Sequence, residues 1–193
     1  TLTGYTRKPN FRKILVAPYS FHSEVIRLIG QEIKAAKAGK STLILIKVNS
    51  LIDPECIDAL YKASQAGVRV ELIVRGICGL VPGVKGLSEN IEVVSVVDKF
   101  LEHPRVYIFE NGGEPKYYIS SADFMTRNIE NRVEVAAPIY DLDLQNQIQA
   151  VFSLCWDDNI KGRHVNGRKG NKFIENKKSK IRSPWAVYEN YKK

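Results

Sequence analysis

The stretch Phe100-Leu101-Glu102-His103-Pro104-Arg105-Val106-Tyr107-Ile108-Phe109-Glu110 decides how this chain is read. Asn111-Gly112-Gly113 follows it, and then Ser120-Ser121-Ala122-Asp123-Phe124-Met125-Thr126-Arg127-Asn128. A histidine stands two residues before an arginine at the opening of an apolar strand. Positions i and i+2 of a strand share a face, so His103 and Arg105 are expected to project together. An imidazole carries a proton or a phosphoryl group, and a guanidinium clamps an anion, a pairing suited to phosphoryl chemistry. Gly112-Gly113 reads as a hairpin turn into a second strand at Tyr117-Tyr118-Ile119. No Lys-Ser/Thr follows these glycines, so they are not a Walker-type phosphate loop.

Upstream, the pattern alternates strands and helices. Ile14-Leu15-Val16-Ala17 reads as a short buried strand. Val25, Ile26, Ile29 and Ile33 recur at helical spacing, and that helix ends near Gly39. Residues 42–48 form a near-continuous apolar strand of the kind found inside a covered sheet. Asp53-Pro54 reads as an N-cap followed by proline at the first helical position, and Gly67 as the end of that helix. The strand over residues 68–74 delivers Arg75 and Gly76 at its carboxyl end, before a Gly/Pro-rich loop over about residues 76–90. Further strands are expected over residues 91–97 and 133–136, and a helix over residues 142–155. This order predicts an α/β fold with a mixed sheet between helices. Ligands of open α/β sheets sit beyond the carboxyl ends of strands, where Arg75 falls.

The chain has 193 residues and a hydrophobic content of 44%, enough for one domain with a core. No apolar run approaches the roughly 18 residues that span a membrane. The N-terminus shows no signal-peptide pattern, and without an initiating Met the chain reads as a fragment or a processed form. Cys56, Cys78 and Cys155 have no metal-ligand spacing and read as reduced, mostly buried thiols of a cytoplasmic protein. The net charge of +8 is unevenly distributed. Residues 161–193 hold 11 basic and 2 acidic residues, which leaves 18 basic and 19 acidic in residues 1–160. A basic tail favours a polyanion, an acidic membrane surface or a partner protein.

Residues 72–78 (Leu-Ile-Val-Arg-Gly-Ile-Cys), residues 100–111 and residues 120–128 together resemble the C-terminal domain of bacterial polyphosphate kinase. The resemblance covers most of residues 11–165. It implies a phospholipase-D-like α/β domain over residues 1–165, with a mixed sheet sandwiched by helices. Residues 166–193 would be a basic tail ending in a short helix. Polyphosphate kinases reversibly transfer the terminal phosphate of ATP to inorganic polyphosphate with Mg²⁺. Their catalytic half resembles two phospholipase-D-like domains in tandem, and this chain resembles the second. The phosphorylated histidine of the family belongs to the first, so its counterpart is not expected here; His22 and His164 lie in unrelated contexts. The resemblance carries a nucleotide-phosphate arginine onto Arg75 and the second active-site histidine onto His103. It implies as partners ATP/ADP, polyphosphate and the preceding domains of the same enzyme, with any Mg²⁺ held mainly by phosphates and those domains. Peripheral membrane association and homo-oligomerisation of the full enzyme stay open.

The phospholipase D signature is His-x-Lys, four residues, Asp, then Gly-Ser-x-Asn. Here His103-Pro104-Arg105 replaces His-x-Lys, Glu110 stands for the Asp, and Ser120-Ser121-Ala122-Asp123 stands for the last part. These departures fit a kinase variant and count against simple phosphodiester cleavage. His103 is assigned proton transfer or a hydrogen bond to the transferring phosphate, and Arg75 is assigned the ATP phosphates. Arg105 is expected to hold a phosphate or to pair with Glu110 or Glu134. Arg127 and Asn128 follow a turn that would present donors to an anion. Ser121 and Asp123 are expected to orient the site, Asp123 by fixing the His103 ring. No metal ligand is identified. Two other readings stay open: a dimeric phospholipase-D-class phosphodiesterase or nuclease, and a non-catalytic polyanion- or nucleic-acid-binding module. The neutral body and the lack of a recognised motif argue against the second.

Overall fold

The computed structural model describes residues 11–166, 170–175 and 179–192. The first ten residues, on which the reading of the N-terminus rests, and residues 167–169, 176–178 and 193 of the tail lie outside them. One eight-stranded mixed sheet organises the chain. Its strands are β1 (Leu15–Ala17), β2 (Leu43–Val48), β3 (Arg69–Val74), β4 (Ile91–Val96), β5 (Arg105–Phe109), β6 (Lys116–Ser120), β7 (Glu134–Ile139) and β8 (Gly162–His164), in the spatial order β1-β7-β6-β5-β2-β3-β4-β8. Strands β2, β3 and β4 run parallel, and the other pairings are antiparallel.

Helices cover both faces. The helix α1 (Phe21–Lys37) turns Phe21, Val25, Leu28 and Ile29 inward at helical spacing, and Gly39 follows its end at φ +69°. The helix α2 (Pro54–Gln65) starts where expected: the Asp53 carboxylate accepts a hydrogen bond from the Cys56 amide at 3.0 Å, and Pro54 opens the first turn. These two helices pack on alternate residues of the central strands, among them Ile44, Ile46, Val48, Tyr107 and Phe109. The opposite residues, Leu45, Ile73, Val106 and Ile108, form a smaller cluster with Phe152 and Cys155 of α4 (Leu142–Trp156). Two short helices complete the fold, α3 (Thr126–Glu130) and α5 (Ser183–Tyr191).

Three expectations need correction. The strand of the decisive stretch begins at Arg105, because Pro104 has no amide hydrogen to enter the ladder. His103 therefore lies in the loop before β5, and the i, i+2 argument does not apply to it. Arg127 and Asn128 lie within the helix α3 and do not merely follow a turn. From about Gly162 the composition turns to Gly, Asn, Lys and Arg and reads as a loop or a flexible arm, yet the chain there forms a strand, β8, paired with β4. Asp158 causes this: fully buried, it collects the amides of Ile160, Lys161 and Gly162 at 2.7–3.2 Å and turns the chain back to the sheet.

Truncating Phe152 to alanine should cost about 3–5 kcal/mol, because its ring fills the contact between α4 and the sheet. Urea unfolding at constant slope checks this.

Candidate functional site

The topology brings one end of five strands together. The parallel strands β2 and β3 release Asn49 and Arg75 just past their carboxyl ends, since Val48 and Val74 are register partners. β5 runs antiparallel to β2, so its first residue, Arg105, lies at the same edge. β6 ends there with Ser120, opposite Arg105, and β7 begins there with Glu134. These residues, with His103, Ser121, Asp123, Arg127, Asn128 and Arg132, line an open cleft of about 700 Å³.

Asp123 holds the cleft together. Its Oδ1 accepts from the Asn49 amide at 2.7 Å and from Arg105 Nε at 3.1 Å. Its Oδ2 accepts from Arg105 Nη2 at 3.0 Å and from Asn49 Nδ2 at 3.3 Å. Burial alone would raise the carboxyl's pKa, but the hydrogen bonds from Arg105 and Asn49 outweigh it and hold the group below the ordinary Asp value. Asn49 passes the connection on, because its Oδ1 accepts from Arg75 Nε at 2.5 Å. Gly76 permits this approach: a Cβ there would lie 2.7 Å from the Asn49 carbonyl oxygen. Arg105 passes the connection the other way. Its Nη1 lies 2.8 Å from His103 Nδ1 and 3.3 Å from the His103 carbonyl. A guanidinium has no acceptor, so Nδ1 accepts and the proton of the neutral ring sits on Nε2.

Arg105 thus reaches His103 by folding back along the chain, and it pairs with Asp123 rather than with Glu110 or Glu134. Asp123 acts on the ring through Arg105. Glu110 does not line the cleft; it closes the far end of β5, where its amide bonds to the Leu43 carbonyl. Glu134 is buried and engaged by the Ser121 hydroxyl, by Asn128 Nδ2 at 2.8 Å and by Arg132 Nε at 3.5 Å. Asn128 is itself buried, so it braces the wall, while Arg127 is exposed at the rim. Both carboxylates are therefore satisfied. The terminal nitrogens of Arg75 and Arg127 have no ion-pair partner among the described residues. The cleft can take an anion with several oxygens.

Asp123 has both oxygens engaged at least twice, whereas among the described residues Glu134 Oε2 is engaged by the Ser121 hydroxyl. The group of candidate metal ligands elsewhere is His22, Asp53 and Cys56. Asp53 is already the cap of α2, and burial pushes the Cys56 thiol far up. Asn49 escaped the sequence reading. Its signal was positional: a polar residue directly after an apolar strand, at the carboxyl edge.

The sheet order and the cleft at its edge define a phospholipase-D-like domain. The phospholipase D family member Nuc from Salmonella typhimurium superposes over 80% of this chain and 97% of its own, with a TM-score of 0.59 at 17% identity, a likeness of fold alone. The model of polyphosphate kinase C-terminal domain 2 matches residues 14–184, and the chain belongs to that family. The polyphosphate kinase of Vibrio vulnificus strain YJ016 is 44% identical over 187 residues, 96% of this chain and 27% of the relative. That of Bacillus anthracis is 49% identical over 165 residues, 86% of this chain and 24% of the relative. The crystal structure of polyphosphate kinase from Porphyromonas gingivalis superposes over 99% of this chain and 30% of its own, with a TM-score of 0.94 at 40% identity. The chain thus spans about a quarter of the length of these curated relatives.

Asp123→Asn should destabilise the domain by about 3–5 kcal/mol at neutral pH, the cost of leaving a buried guanidinium unpaired. The folded carboxyl titrates below its unfolded value of about 3.9. Its stabilisation is therefore complete above that pH and fades as pH falls through the lower folded value. Denaturation curves of the two proteins should converge toward acid pH.

Proposed function

We propose that this domain supplies the phosphate-binding and assisting residues of a polyphosphate kinase. The whole enzyme would transfer the terminal phosphate of ATP reversibly to inorganic polyphosphate. One observation carries the reading: the chain of contacts Arg75–Asn49–Asp123–Arg105–His103, which ends in a cation on one side and an imidazole donor on the other.

Arg75 reaches the phosphate oxygens with its terminal nitrogens while its Nε stays on Asn49. Held in this way, the guanidinium arrives oriented, and less freedom is lost on binding. It offsets charge on the transferring phosphoryl group, where the barrier to such reactions is lowered most. His103 donates from Nε2 to a phosphate oxygen or to the oxygen that leaves. The bond from Arg105 opposes a nucleophilic role, because it leaves the ring's proton on Nε2. The nucleophile would then be the histidine of the preceding domain, whose phosphorylation divides the transfer into two steps. Arg127 lies at the rim, where it would meet a second phosphate of the nucleotide or the polyphosphate chain. Mg²⁺ would arrive with the nucleotide and be held by phosphates and the rest of the enzyme. The unpaired cysteines support a reducing, cytoplasmic setting.

Arg75→Ala should weaken ATP binding by about 1–3 kcal/mol, the scale of a lost hydrogen bond between charged groups. His103→Ala should weaken it less. Calorimetry with ATP and with long-chain polyphosphate measures both. Equal binding by all three proteins would remove the site from this cleft. The domain alone should not turn over, and ATP-to-polyphosphate transfer by these 193 residues would contradict the two-domain mechanism.

A further inference from the structure

The loop that carries His103 runs from residue 97 to residue 104, between β4 and β5. Among the described residues no backbone–backbone hydrogen bond outside the helices and strands involves it. Its conformation rests on side chains. The Asp98 side chain, 4% exposed, accepts two bonds from Arg182, from Nε at 2.7 Å and from Nη2 at 2.8 Å. Phe100 stacks on Trp185 with centroids 6.0 Å apart and planes 18° apart. Arg182 lies over the other partner of that stack, its Cζ 4.0 Å from the Trp185 centroid. Glu102 turns the other way, into the body, where Lys47 Nζ donates to it at 2.6 Å and the Cys155 thiol at 3.3 Å.

The partners of Asp98 and Phe100, Arg182 and Trp185, lie in the C-terminal segment, which is itself fixed to the body. The Asp158 carboxylate that turns the chain into β8 also accepts from the Ser183 amide at 2.7 Å. Asn159 exchanges two further bonds with this segment, donating to the Ser179 carbonyl and accepting from the Ile181 amide.

We propose that Arg182 and Trp185 are positioning residues for His103: the start of α5 is a strap that holds loop 97–104 so that the imidazole meets Arg105 and the cleft. The placement of the loop stands on these contacts alone, and its consequence for catalysis rests on the function proposed above. The geometry suits that task. Arg182 supplies a fork for Asp98 and a flat cation for Trp185 at once, which a lysine would not do. Phe100 is 69% exposed, so without Trp185 it has little else to hold it. The segment's first role is then intramolecular, with its positive charge partly committed to Asp98.

The test compares the 193-residue chain with Trp185→Ala, Asp98→Asn and the conservative Trp185→Phe. The backbone amides of residues 99–103 should lose order on the nanosecond timescale in the first two, their ¹⁵N order parameters falling from about 0.85 to below about 0.6. Amide exchange in β2 and β3 should not change, which certifies the fold. The His103 ring resonances should move toward those of a free imidazole, and Trp185→Phe should restore both loop readouts. Unchanged order parameters and unchanged His103 signals in the two disruptive variants would overturn the proposal. Titration with ATP separates the two ideas: a loosened loop with unaltered ATP affinity keeps the strap and removes His103 from phosphate binding.

Discussion

The bidentate pair between Arg105 and Asp123 is the interaction on which the site depends. Both side chains are buried, and an unpaired charge in that place would be costly. Neither residue spends its capacity on the other alone. The carboxylate also takes the amide and the side chain of Asn49, and the guanidinium also holds His103. The pair therefore fixes three other groups: the end of β2, the rotamer of Asn49 that orients Arg75, and the tautomer of the imidazole. A lysine at position 105 would give a point charge with no planar fork to serve a carboxylate and a ring together.

This explains why two departures from the phospholipase D signature occur together. Arg105 stands for a lysine and Asp123 for an asparagine, and they are the two halves of one ion pair. A cation that donates to Nδ1 makes the histidine a donor at Nε2. A hydrolytic histidine that forms a covalent intermediate needs the reverse, an acceptor behind it that strengthens the attacking nitrogen. The carboxylates lie inside the protein network, and Arg75 and Arg127 have no ion-pair partner among the described residues.

Most of the architecture was legible because its signals are local. The caps at Asp53 and Gly67, the apolar runs of β2 and β3 and the glycine hairpin each follow from residue chemistry within a few positions. The fold edge that gathers Arg75, His103, Arg105, Arg127 and Asn128 was legible through the family resemblance and the position of Arg75 after a strand. What escaped depends on partners far apart in sequence. Asn49 acquires its role from Asp123, 74 residues away. β8 exists because Asp158 gathers amides, and a Gly/Asn/Lys/Arg-rich composition concealed it. The partner of Arg105 was misjudged because Glu110 is nearer in sequence but points to the other end of its strand.

The central claim is that Arg105 holds His103 as a donor to phosphate. The most direct measurement is the ¹⁵N spectrum of the His103 ring at neutral pH, in wild type and in Arg105→Met. The account predicts Nδ1 unprotonated and Nε2 protonated in wild type, and loss of that fixed tautomer in the variant. A proton on Nδ1, or a ring that ignores the loss of Arg105, would contradict it.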